Sequence, residues 1–137
     1  MNKTLKSLIQ AGRVTKDVQL YGRTWTMHTL DTRDQLVASN STSDYDALSR
    51  VMALKVAMLA HAIDKVDGES LGTTGEKRDV LGRLQVPVLN ALYAEYEKLL
   101  DKQNNDLNDL NKDRDLLDSS SDSSDNDEDD EEDLPGL

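Results

Sequence analysis

The stretch DVQLYGRTWTMHTLDTRDQL, residues 17–36, holds the only Trp of the chain and a turn signal between two runs of alternating side chains. Gly22 supplies the positive φ required at the first central position of a type II′ turn, so Gly22 and Arg23 read as the two-residue loop of a β-hairpin. Tyr21 then faces Thr24, Leu20 faces Trp25 and Val18 faces Met27, placing Val18, Leu20, Trp25 and Met27 on one face. Thr24, Thr26 and His28 fall on the other, wet face. A lone two-stranded hairpin is marginal in water. Another part of the chain must therefore cover the apolar face. The outer strand edges are places where a second chain can add a strand. Trp25, with Leu20 and Met27 beside it, is accordingly either a core anchor, the favoured reading, or a contact for a partner.

Residues 1–15 form a short helix or arm, with Leu5, Leu8 and Ile9 on one side and Gly12 as its stop. Downstream of the hairpin, Asp31 with Asp34 three residues on marks the N-cap of a short helix that ASNSTS (residues 38–43) breaks. The main helix is expected over 43–67. Ser43 and Asp46 make its capping pattern, Leu48, Val51, Met52, Leu59, Ile63 and Val66 recur along it, and Gly68 ends it. Leu54, Val56 and Met58 widen the apolar stripe, so neighbours should wrap this helix on most sides.

A third long helix is expected over 75–116, capped by Thr73 or Thr74, with Val80, Leu81, Leu84, Val88, Leu92, Tyr96, Leu99 and Leu100 apolar. Pro87 removes a helical hydrogen bond and should kink or split it near residues 84–86. Its end continues as a heptad seam through Gln103, Leu107, Leu110, Arg114 and Leu117 that lacks an evident partner within the chain. Leu107 and Leu110 are therefore candidate contacts for weak self-association or for a partner. The fold expected is mainly α within the α+β class: an N-terminal hairpin packed on a bundle of two long helices plus short ones, with 16–117 as the domain.

Ten of the 27 acidic residues lie in 118–137, a stretch without Lys or Arg, which leaves 17 acids against 16 bases elsewhere. The formal charge of -11 is thus almost wholly a property of DSSSDSSDNDEDDEEDLPGL, whose composition predicts a disordered tail. Leu134 and Leu137 at its end form a small apolar hook for a partner pocket. No basic stripe suggests nucleic-acid binding. With no Cys there are no disulfides or thiolate metal sites, which suits a reducing compartment. His28 and His61 have no ligand at metal-site spacing, and Asp64, Asp67 and Glu69 lack the alternation of a calcium loop. No catalytic constellation, cofactor or metal site is expected. The apolar run 51–63 is too short for a membrane span, and the first residues lack a signal-peptide core.

Three segments carry a family resemblance: VQLYGRTWTMHTL (18–30), AHAIDKVDGESL (60–71) and EKRDVLGRLQVPVLNALYAEYEKLL (76–100), the last with RLQVPVLNALYAEY at its centre. Together they cover most of 17–100, and their order resembles the small tail assembly chaperones and related minor tail or baseplate assembly proteins of long-tailed bacteriophages. The resemblance implies a non-enzymatic protein in the cytoplasm of an infected host, escorting the aggregation-prone tape measure protein while tail subunits polymerise around it. The acidic tail is not part of that family pattern. Three other classes remain open: a minor structural subunit of the virion, an acidic nucleic-acid mimic or adaptor acting through residues 118–137, and an enzyme, for which the sequence offers no constellation.

Overall fold

The computed structural model describes the backbone of residues 2–117 and the side chains of residues 2–111. The acidic stretch 118–137, with Leu134 and Leu137, lies outside the described residues. The elements run α1 (Lys3–Gln10), β1 (Thr15–Leu20), β2 (Arg23–His28), α2 (Thr32–Asn40), α3 (Ala47–Ala62), β3 (Ile63–Val66), β4 (Glu69–Ser70), α4 (Thr74–Leu81) and α5 (Val86–Leu117). Five helices and an antiparallel sheet of order β1-β2-β3-β4 make the fold α+β with helix predominant. Two compact units divide the chain, residues 1–103 and 104–137, and the described part of the second is the end of α5.

The hairpin is present, but its loop is Tyr21–Gly22, which moves the register by two residues from the expected one. Both loop residues have positive φ, 53° and 73°, as a type I′ turn requires. Leu20 now faces Arg23, Val18 faces Trp25 and Lys16 faces Met27. A slide of two residues leaves every side chain on its face. The Leu20–Trp25 pair is replaced by a row in which Trp25 lies between Val18 and Val66, and the indole N–H donates to the Leu20 carbonyl at 3.1 Å.

The expected main helix is shorter at both ends. Asp46 rather than Ser43 is its N-cap, accepting from the Ser49 amide at 2.8 Å. At the other end residues 63–66 leave the helix to form β3, which pairs with β2 and closes that edge of the hairpin. Gly68 belongs to a turn with Asp67, with φ of 81° and 53°, and joins β3 to β4. Asp31 caps α2 as expected, accepting from Asp34 N at 2.8 Å, and α2 runs on to Asn40 before the break. Thr73 caps α4 in a reciprocal box with Glu76. The third helix is split ahead of Pro87: α4 ends at Leu81, and Pro87 sits in the first turn of α5, where its missing N–H does no harm.

Val18, Trp25, Met27 and Leu30 from the sheet side pack with Leu59, Ile63, Leu81, Leu92, Tyr96 and Leu99 into one core. Met27, Leu59, Leu92 and Tyr96 are fully buried. Gln103, read as a seam position, instead donates from Nε2 to the Gly12 carbonyl at 3.0 Å and ties α5 to the segment between α1 and β1. The first position of that seam therefore has its partner within the domain.

Asp67 fastens the second turn to the first strand pair. Its Oδ1 accepts from Thr24 N at 2.9 Å, its Oδ2 from Arg23 Nη1 at 2.7 Å, and its own amide donates to the Thr24 carbonyl at 2.7 Å. The Thr24 amide first, and then Arg23, hold the Asp67 carboxyl below the usual carboxylate range. A carboxyl depressed in the folded state adds stability above its unfolded pKa, and that contribution is lost as pH falls through the folded value. Asp67→Asn should therefore be less stable than wild type at neutral pH, the gap closing below about pH 4, the unfolded aspartate range. Urea titrations at a series of pH values between neutral and 3 read it directly; a gap independent of pH would mean the charge contributes nothing.

Candidate protein-docking surfaces

Of the hairpin residues proposed from sequence as partner contacts, two are buried in this fold and one is half-buried. Met27 is fully buried, Trp25 is 8% exposed and Leu20 is half-buried against the core. Trp25 is thus a core anchor. β2 is an interior strand, paired with β1 on one side and β3 on the other, so an incoming strand cannot reach it. The sheet ends on one side at β1, where Thr15, Lys16, Asp17 and Gln19 are exposed. Charged and polar side chains on an edge discourage strand addition.

Leu107 and Leu110 are both exposed, Leu110 at 64%. They lie one helical turn apart in the second unit, on a face that the described residues leave open.

Larger exposed apolar surface occurs where the sequence predicted burial. Leu48 is 86% exposed and Val51 is also exposed, both in the first half of α3, with Tyr45 just ahead of the helix. The second half of the same helix, from Ala57 to Ala62, is packed in the core. The helix expected to be wrapped on most sides is wrapped over half its length. On α1 no residue is buried, and Leu5, Leu8 and Ile9 share an open face. The sequence signal for α1 was its amphipathic spacing; for α3 an apolar pattern all round masked which end would be covered.

Beside the open half of α3, an apolar groove of about 350 Å³ runs between α3, the end of α4 and the start of α5. Met52, Val56, Leu81, Leu84 and Leu89 line it, together with Ser49 and Arg78. The split ahead of Pro87 makes this groove, because the turn at residues 82–85 separates α4 from α5 above α3. Arg78 is half-buried and makes no ion pair or side-chain hydrogen bond with any described residue.

The titratable side chains form two acid–imidazole pairs. His28 Nδ1 lies 2.8 Å from Asp64 Oδ2, and His61 Nδ1 lies 3.8 Å from Asp34 Oδ1. His28 is buried, which corrects the expectation that it faces water: Asp64, on the neighbouring strand β3, answers its ring nitrogen. The first pair links β2 to β3 and the second brings the end of α3 to α2. Nearby, the Tyr96 hydroxyl is buried beside the Leu30 backbone without a well-formed hydrogen bond. Burial above all, with Tyr93 adding to it, pushes Tyr96 up to about 12. An Asp–His pair offers general-base chemistry only where a substrate proton comes within hydrogen-bond reach, and His28 is buried.

Among the described residues no group of three or more His, Cys, Asp or Glu side chains is arranged to hold a metal ion. No described helix is long and apolar enough to cross a membrane. Comparison with protein-family models, with curated proteins and with solved structures finds no match to this chain.

Proposed function

We propose that the chain is a non-enzymatic assembly chaperone that binds and solubilises a protein partner, and that this partner is the tape measure protein or another tail component of a long-tailed bacteriophage. The observation that carries the binding role is the large apolar surface left open on three helices, centred on Leu8, Leu48 and Leu110. Exposed apolar area of this kind is what a holding protein offers an aggregation-prone segment. The phage setting rests on the resemblance of residues 17–100. The acidic stretch 118–137 complements the surface by charge, since a complex that carries many like charges resists further association.

Co-expression with the candidate tape measure protein tests the proposal. Wild type should keep the partner in the soluble fraction, and Leu48→Ser with Val51→Ser should do so several-fold less well while melting like wild type, because both side chains are already exposed. Equal partner solubility with wild type, with the double variant and with no chaperone rules the escort role out. Persistence of the protein in purified particles would favour the structural-subunit alternative.

A further inference from the structure

The groove between α3, α4 and the start of α5 combines an apolar lining with one half-buried cation and no acidic residue. A guanidinium that has lost part of its hydration without gaining an acceptor is unfavourable, and a carboxylate brought alongside offsets that cost. The surroundings bear on the size of the occupant. Apolar surface continues outside the groove on Leu48 and Val51, further than a small ligand would cover. An acidic, leucine-bearing helix fits this chemistry.

The chain itself contains such a helix. Residues 104–117, NNDLNDLNKDRDLL, hold four Asp against Lys112 and Arg114. Leu107 and Leu110 are exposed one turn apart, and Asp106 and Asp109 each precede a leucine, so the carboxylates flank the apolar stripe. We propose that the groove receives the 104–117 helix of a second copy of the chain, with Leu107 and Leu110 entering the apolar part and Asp109 pairing with Arg78. The proposal rests on the reading of this chain as a protein-binding module. Groove and helix are different patches, so a reciprocal exchange closes a dimer with two such contacts, and an unreciprocated one leaves a free groove at one end.

Sedimentation velocity of the full chain across a concentration series provides the test, together with a fluorescent peptide of residues 100–117. Wild type should dimerise with rising concentration and bind the peptide. Arg78→Glu and Asp109→Arg should each weaken dimerisation by about tenfold or more, and the charge-swapped double variant should recover most of it; all three should melt like wild type. A wild type that stays monomeric and leaves the peptide free up to about 1 mM overturns the proposal, as does dimerisation indifferent to both single variants. Loss of the solubilised partner with Arg78→Glu, in a chain that never dimerises, assigns the groove to the partner and likewise overturns the second copy as occupant. Dimerisation is read without any partner present, so failure of the escort role leaves this result standing.

Discussion

Replacing Trp25 by Ala lowers the stability of the folded chain by about 3 to 5 kcal/mol, the usual cost of removing a buried aromatic side chain. The ring is 8% exposed, lies between Val18 on β1 and Val66 on β3, and donates its indole N–H to the Leu20 carbonyl at 3.1 Å. Its loss leaves a cavity where three strands meet and removes one of the hydrogen bonds at the hairpin turn. Domains of this size are stable by only about 5 to 15 kcal/mol in total, so the variant should unfold at much lower urea in titrations followed by far-ultraviolet circular dichroism. Trp25→Phe keeps most of the ring and gives up the hydrogen bond, for a smaller loss of about 1 to 2 kcal/mol. A loss below about 1 kcal/mol for the alanine variant is what an exposed ring would give, and would contradict the packing described.

Thr26→Pro should be at least as damaging, at about 3 kcal/mol or more, because proline in an interior strand removes a ladder hydrogen bond and places its ring against the neighbouring backbone. Thr26 lies on β2 with Asp17 on one side and Lys65 on the other, and its hydroxyl donates to Asp17 Oδ1 at 2.7 Å. Had β2 been an edge, as a lone hairpin would make it, the same substitution would only blunt that edge. Thr15→Pro is the control, since Thr15 is the first residue of the edge strand β1 and should tolerate proline within about 1 kcal/mol. Thermal melts of the two variants side by side decide the matter; similar losses in both would mean that β2 is not enclosed.

The difference between an edge and an interior strand turns on four residues, Ile63 to Val66. Their apolar members sit at spacings that continue the α3 pattern, so helical periodicity extended through them although they form β3. The opposing signal was the dipeptide Asp67–Gly68, a type I′ hairpin turn of the kind that closes β3 on β4. The hairpin register was ambiguous for a different reason: loops at 21–22 and 22–23 give the same faces, and only the fit of Trp25 between Val18 and Val66 separates them. Local chemistry was easier to read. Asp31 capping α2 and Pro87 ending one helix and opening another depend on neighbours within a few residues. The candidate docking surface was not legible, because hydropathy treats Leu48 and Leu59 alike, and tertiary packing covers one and leaves the other open. Gln103 belongs to the same class, since its partner Gly12 is brought to it only by the fold.

The clamp at Asp67 has a further consequence for how opening of this sheet is recorded. Peptide groups along a strand point alternately to its two neighbours. The Thr24 carbonyl accepts the Asp67 amide, which turns the Thr24 peptide edge towards β3 and those of Arg23 and Trp25 towards β1. The contact with β1 closes through a two-residue turn, whereas the contact with β3 spans α2 and α3 and must close a long loop. Hydrogen exchange at adjacent amides of this one strand therefore samples two separate events. Lifting of the N-terminal strand deprotects Arg23 and Trp25, and release of the distant return strand deprotects Thr24 between them.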